Sequence, residues 1–502
     1  MKTAALKIAA LWAVLALACG CGGGGMSSGG GGSTTPQESV VISKTTTAPF
    51  NMAMSTAFQP AEWDYQFFGN NPDATMTLGK LGPHHIRLQG VSQGVPQGAA
   101  DNFSTAWNFS VLDAIAQPVL GVGDHSPEFQ IAKAPPFMYT GNDSNGANAF
   151  TDLTFAQFAG YAANLVQYYN IPGGFTANGN TYSSPGGQPI TYWGIYNEPS
   201  INNNLDASEY VTMYNALVPA MQSVDPALKF VGLEMCCGSE DWALTFAQNV
   251  TAQVDVVASH YYSSCDQTDP DAMVMATIPG FVRSVQTIHS NLSPKFANVP
   301  IWVTENNVNA DYSDNGMSAC NPGQTFVTDL RGSSPFFAAW RPYVFSQFGK
   351  RGIVPMLYHW DYDADQQFGE VDYNTGTLQL GYWVDYWLGQ EFPATAGSQL
   401  LSYTATDDAE LETLPVINSD GSVVIMLANH AVNSPTDNNG PGVSLSVLVD
   451  ISALGSFSSG TLVTIDSTTG ASSGPVPAAV APAAQMTLTL NGYSVAFLAL
   501  NP

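Results

Sequence analysis

Two apolar runs in this chain of 502 residues each stop at a glutamate with an asparagine beside it. The first is Thr191-Tyr-Trp-Gly-Ile-Tyr-Asn-Glu-Pro199 and the second is Val299-Pro-Ile-Trp-Val-Thr-Glu-Asn-Asn307. Both have the length and the β-branched and aromatic content of a buried strand. A carboxyl group at such a strand end stands where an apolar layer meets solvent. Two of them brought together cannot both ionise freely, so their environments divide the labour into a neutral acid and an ionised carboxylate. That pair can donate a proton and attack an electrophilic carbon, which makes Glu198 and Glu305 the candidate catalytic residues.

The ending Asn197-Glu198-Pro199 resembles the fourth-strand motif of the clan A glycoside hydrolases, and Thr304-Glu305-Asn306 resembles their seventh-strand motif. The resemblance implies retaining hydrolysis of O-glycosidic bonds in an oligo- or polysaccharide by double displacement. Glu198 would be the general acid/base, Asn197 would hold the sugar's 2-hydroxyl, and Glu305 would be the nucleophile. Such carboxyls stand about 5 to 5.5 Å apart, and the acid becomes the base that activates water in the second step. Within the clan the pattern is most similar to the β-xylosidase and α-L-iduronidase family with its arabinofuranosidase and glucuronidase relatives, over residues 40 to 502. It departs at Gly194, where many relatives carry glutamate, and at Tyr196, where they carry tryptophan or glycine.

Three further strand ends fit the same site, two of them through the resemblance. Arg87, in His84-His-Ile-Arg-Leu-Gln89, would stand beside the nucleophile. A tyrosine of His260-Tyr261-Tyr262 would hydrogen-bond it; spacing favours Tyr262 over Tyr261, and His260 joins the site from the same strand end. Trp360, after Tyr358-His359, would be a sugar-stacking platform. Asp124 and His125 follow the expected third strand and could bind hydroxyls in an outer subsite, with a capping role for Asp124 equally open. Burial and neighbouring charge are expected to keep Glu198 protonated, hydrogen bonds and a cation to keep the Glu305 pKa low, and the pH optimum to be acidic. No cofactor and no catalytic metal are expected. A transglycosylase would use the same two carboxylates; a non-catalytic polysaccharide-binding surface lipoprotein is the other alternative, against which the presence of both glutamates argues.

Positioning these residues takes eight strands, expected near Asn51–Ala57, His84–Gln89, Pro118–Gly123, Thr191–Asn197, Lys229–Leu233, Val254–His260, Pro300–Thr304 and Val354–Trp360. Segments of helical period lie between them. Phe155, Phe158, Ala162, Leu165, Val166 and Tyr169 share one face, as do Tyr210, Met213, Leu217 and Met221 behind an Asp206/Glu209 capping box. Chemistry assembled from many strand ends favours a (β/α)8 TIM barrel, over residues 39–392, rather than a doubly wound sheet. The long segment Ser126–Thr151 reads as a cleft wall. Residues 393–502 read as an antiparallel β-sandwich, a sugar-binding module or more simply a buttress. Its hairpins are expected at Asp420-Gly421 and Asn491-Gly492, and Val443, Leu445, Val447 and Val449 alternate as a sandwich strand does.

Forty acidic against 13 basic residues give a formal charge of −27, which excludes a cationic nucleic-acid surface. Lys2 and Lys7, the apolar Ile8–Ala18 and small residues around Cys19 and Cys21 read as a signal peptide over residues 1–21, of lipoprotein type if either cysteine is acylated. Residues 22–38 read as a Gly/Ser-rich linker. The expected partners are a carbohydrate and, through that lipid alone, an outer membrane or cell surface; otherwise the protein is periplasmic or secreted. Cys236, Cys237, Cys265 and Cys320 follow strands five to seven and suit one or two disulfides, three pairings being open.

Overall fold

The computed structural model describes residues 37–58, 66–90, 107–122, 126–141, 149–186, 189–201, 204–236, 240–394, 397–406 and 409–502. The expected leader with Cys19 and Cys21, nearly all of the linker, and Asp124, His125 and Cys237 lie outside them. Eight parallel strands close a barrel: Ala53–Phe58, Arg87–Leu88, Glu128–Ile131, Tyr192–Ile195, Lys229–Cys236, Val256–Ser264, Ile301–Asn309 and Met356–His359, numbered 1 to 8 in chain order. The ring closes where strand 8 pairs with strand 1, Met356 opposite Ala53 and His359 opposite Thr56.

The barrel interior changes character along the strands. Tyr192, Val231, Ala258, Trp302 and Met356 belong to an apolar cluster at its base. Two residues further along strands 6 and 7, on the same face of the pleat, stand His260 and Thr304. Outside, helix Ala207–Gln222 begins at the expected capping box: Asp206 Oδ1 accepts from the amides of Ser208 and Glu209, and the Asp206 amide donates to Glu209 Oε2. Tyr210, Met213, Leu217 and Met221 are its buried stripe. Helix Ala156–Asn170 buries Phe158, Ala162, Leu165, Val166 and Tyr169, while Phe155 is its buried N-cap.

The third strand is not where the sequence placed it. Pro118 to Gly121 end a helix, Ser110–Gly121, whose buried Leu112, Ile115, Ala116, Val119 and Leu120 recur at helical spacing. The strand is Glu128–Ile131, inside the segment expected to be a cleft wall. Its pattern misleads because Glu128 and Gln130 are polar yet fully buried. Asp124 therefore precedes the third strand and does not stand at its end. Strands 5, 6 and 7 run further than expected, to Cys236, Ser264 and Asn309.

The C-terminal region forms a nine-stranded sheet curled around its own core, and the strand Glu38–Pro49 belongs to it. That strand pairs antiparallel with Gln399–Ala405 and parallel with Leu445–Asp450, so the boundary expected at residue 39 moves past Pro49 and the sheet is not wholly antiparallel. Asp420-Gly421 does close a hairpin. Asn491-Gly492 does not: Gln485–Leu490 pairs with Leu445–Asp450, whereas Ser494–Asn501 pairs with Val423–Asn429 and Ser459–Ile465. The corner needs glycine, since Gly492 has φ +60° and a Cβ there would lie 2.0 Å from the Pro441 carbonyl oxygen.

Strand Val423–Asn429 is buried on both faces. Val423, Ile425 and Leu427 line the inner core of the sheet, while Val424, Met426 and Ala428 join the barrel's core. Asp271 adds a polar clasp, its carboxylate accepting from the amides of Asn439 and Gly440 at 2.8 Å. Packing of this kind supports the buttress reading.

One disulfide, Cys265–Cys320, ties the end of strand 6 to the segment after strand 7. It closes a loop of 55 residues, which the chain-entropy treatment values at about 4 kcal/mol. The double variant Cys265→Ser/Cys320→Ser is expected to lose up to that amount in denaturant unfolding; an unchanged midpoint would show that the loop is ordered without the bond.

Candidate active site

Three backbone irregularities bring the functional side chains to the C-terminal mouth of the barrel. After strand 4, Tyr196 and Glu198 take left-handed φ of 67° and 42°, and the Glu198 amide donates to the Glu234 carbonyl at 2.9 Å. On strand 5, Leu233 and Glu234 are left-handed at 73° and 46°, where pairing with strand 6 slips between Gly232 and Met235. On strand 7 the register slips between Val303 and Glu305. Simple alternation would send Thr304 and Glu305 to opposite faces; the slip lets both hydrogen-bond inside the site. Left-handed non-glycine residues cost about 1–3 kcal/mol each and persist where surrounding structure over-determines them.

Carboxylate oxygens of Glu198 and Glu305 and a ring nitrogen of His260 all lie within 4.8 Å of one another. His260 Nδ1 is 2.9 Å from Glu198 Oε1 and 3.4 Å from Glu305 Oε2. Glu305 also accepts from Tyr262 OH at 2.8 Å and from Arg87 at 3.1 Å. Tyr261 is turned away, its hydroxyl within 2.8 Å of Ser263 and Thr277. Asn197 Oδ1 accepts from Arg87 at 3.2 Å and from Gln130 Nε2 at 3.0 Å. Trp360 directly follows strand 8, with the Arg87 guanidinium 5.9 Å from its ring centroid. All the described candidates thus meet in one place, and Asp124 lies outside the described residues.

Arg87 is fully buried among three carboxylates: Glu305, Glu234 at 3.3 Å and Glu128 at 3.9 Å. Burial opposes its charge, but Glu234, Glu305 and Glu128 together raise its pKa. His260 behaves alike: burial opposes its charge, and Glu305, Glu198 and Glu234 outweigh that to push it up to about 10. Burial is also the largest influence on Glu305 and pushes its carboxyl above the ordinary range, against the pull of His260, Arg87 and the Tyr262 hydrogen bond. The expectation of a low value fails because this carboxylate is almost fully desolvated, with 6% of its side chain exposed against 18% for Glu198.

Two groups among the described residues have donor atoms near enough to hold a metal: Glu198, His260 and Glu305, and the wholly buried His359, Glu370 and Asp385. In each the imidazole already bonds to a carboxylate, His260 to Glu198 and His359 Nδ1 to Asp385 at 2.7 Å. The second group underpins strand 8, with Arg341 bonding both Asp385 and Asn306.

Residues 188–330 match the family model Glycosyl hydrolases family 39, a span that runs from strand 4 to beyond strand 7 and holds both glutamates. A stretch of 76 residues is 34% identical to a beta-xylosidase from Geobacillus stearothermophilus, covering 14% of this chain and 15% of that enzyme. The fold is similar to that of an alpha-L-arabinofuranosidase from Thermotoga maritima, with a TM-score of 0.64 at 15% identity over 92% of this chain and 99% of the other. It is similar also to the GH39 enzyme from Xanthomonas axonopodis pv. citri, with a TM-score of 0.60 at 14% identity over 93% and 98%.

Glu128, Gln130, Glu234 and Thr304 also belong to the site and were not among the residues that the sequence singled out. Glu234 sits in Gly232-Leu-Glu-Met235, where a charge inside an apolar strand was the available signal. The departure at Gly194 has a steric cause: a Cβ there would lie 2.6 Å from Glu128 Oε1 and 2.8 Å from Gln130 Cγ.

The His260 shift fixes a pH dependence of stability. Its folded value of about 10 exceeds the ordinary 6.5, so its ion pairs contribute fully below 6.5 and are lost as pH rises through about 10. The stability advantage of the wild type over His260→Asn is expected to shrink across that window in urea unfolding; an advantage that grows with pH would contradict the assignment.

Proposed function

We propose that this protein is a retaining glycosidase in which Glu198 is the general acid/base and Glu305 the nucleophile. The observation that carries the reading is the approach of the two carboxylates to within 4.8 Å, in the regime of a direct attack rather than of an interposed water. Glu305 receives Tyr262 and Arg87 as donors, with His260 beside it, which favour its ionised form and aim an oxygen at the anomeric carbon. Glu198, the more exposed of the two, protonates the leaving oxygen and then takes a proton from the incoming water. Two donors on Asn197 Oδ1 fix its amide, so that Nδ2–H is the group that would donate to the sugar's 2-hydroxyl. Trp360 supplies an apolar face for the ring.

The relatives' names make aryl xylosides and arabinofuranosides the first substrates to test. We also propose export, supported by the charged and apolar N-terminal segment and by the Cys265–Cys320 disulfide, which suits an oxidising compartment, with a lipid on Cys19 or Cys21 as the membrane attachment. The acidic optimum belongs to the same proposal.

Glu305→Gln is expected to abolish turnover while binding persists. Glu198→Ala should slow substrates with poor leaving groups by roughly 10²–10⁴-fold and spare activated aryl glycosides in the first step. Product NMR should show the retained anomer; an inverted product would remove the reading. Because burial raises the Glu305 pKa, activity should fall on the acid side at a pH above the ordinary glutamate value, and a limb below that value would contradict it.

A further inference from the structure

The buried carboxylate of Glu234 has no part in the reading above, yet it touches most of what that reading uses. It accepts from Thr304 Oγ1 at 2.8 Å and from Arg87 at 3.3 Å, and stands 3.1 Å from His260 Nε2. Its carbonyl holds the amide of Glu198. Its own left-handed backbone, beside left-handed Leu233, turns it into the barrel, where it is fully buried.

We infer that Glu234 is a positioning residue for the reaction proposed above: anchored by Arg87 and Thr304, it fixes the His260 ring so that one N–H stands between Glu198 and Glu305 through both halves of the double displacement. The inference rests on that reading. In the first half the proton of Glu198 passes to the leaving oxygen, the glycosidic C–O bond breaks and a Glu305 oxygen bonds to the anomeric carbon. The single negative charge of the pair therefore moves from Glu305 to Glu198. In the second half Glu198 takes a proton from water, the water oxygen bonds to the anomeric carbon and the ester bond breaks, which returns the charge to Glu305.

His260 Nδ1 is 2.9 Å from one carboxylate and 3.4 Å from the other, so one fixed N–H can serve the charge in either place and gives up no proton. It serves only while the ring is an imidazolium. The groups facing that ring are Glu305 on strand 7, Glu198 after strand 4 and Glu234 on strand 5, with Arg87 and Glu128 behind Glu234, Tyr262 beside Glu305, and Cys236 near Tyr262 and opposite His260 in the strand pairing. Glu305 and Glu198 gain and lose charge during the cycle; Glu234 keeps its own. Burial and the charge of Glu234 push the Glu128 carboxyl well above the ordinary range, while Arg87 and His260, outweighing burial, hold that of Glu234 at about 2.

The test is Glu234→Gln in the full chain, which keeps the size and removes the charge. Its kcat is expected to drop on the order of 10²-fold, the usual loss when a donor aimed at developing charge is weakened. Its alkaline limb should move to lower pH, and the His260 imidazole should titrate by ¹⁵N NMR below its wild-type value of about 10. Glu234→Asp, which retains the charge, should recover part of the rate and the cationic ring. A folded Glu234→Gln with wild-type kcat and pH profile overturns the inference. Should that variant not fold, His260 in the wild type decides: an imidazolium at neutral pH supports the inference and a neutral ring overturns it. Glu305→Gln separates the two levels, because full activity in that variant removes the catalytic reading, whereas a dead Glu305→Gln beside a fully active Glu234→Gln removes the role of Glu234 alone.

Discussion

The site is built around a constraint on buried charge. Glu128, Glu198, Glu234 and Glu305 converge on two cations, Arg87 and His260, in a place where an uncompensated ion would be very costly. In the proposed reaction Glu198 enters as the acid, and burial beside Glu234 pushes the Glu128 carboxyl well up, so the anions facing the two cations are Glu234 and Glu305. The cluster is then neutral overall while keeping one acid and one nucleophilic carboxylate side by side. Moving charge from Glu305 to Glu198 leaves that sum unchanged, so the chemistry can proceed without importing a counter-ion. The same balance explains why Arg87 is fully buried in a chain with so few cations.

Holding six titratable groups in that arrangement demands a frame stiffer than regular pleating provides. The left-handed residues at 196, 198, 233 and 234 and the slipped registers of strands 5 and 7 are confined to the strand ends that carry the site. Two specific bonds hold this backbone: Tyr210 OH accepts from the Leu233 amide, and the Glu234 carbonyl accepts from the Glu198 amide. Around them the aromatic shell of the barrel and the two-faced strand Val423–Asn429 bury the supporting helices. The C-terminal sheet packs on the barrel from outside through Val424, Met426 and Ala428.

Much of this was legible in the sequence where local rules and the global fold agree. The glutamates ending strands 4 and 7 stand out because a charge closes an apolar run, and the helix at 207 announces itself through its capping box and stripe. Strand 3 was hidden because its inward residues are Glu128 and Gln130, whose polarity reads as loop until their partners Arg87 and Asn197 are known. Asn491-Gly492 carries the signature of a hairpin, but the strands on either side pair elsewhere, and no local signal reports that choice. Likewise nothing near Glu38 foretells a strand that returns to the last domain. Each miss is a case in which a long-range partner decided the local structure.

Position 194 shows how such a charge cluster can be assembled from different strands. The motif that this sequence resembles often carries glutamate there, and here a glycine leaves room for a third-strand carboxyl whose oxygen lies 2.6 Å from where the Cβ would be. Inward positions on neighbouring strands 3 and 4 converge on one small volume near the barrel axis, so either strand can deliver a side chain into it. A glutamate at 194 would collide with Glu128 and add a further acidic group to the cluster.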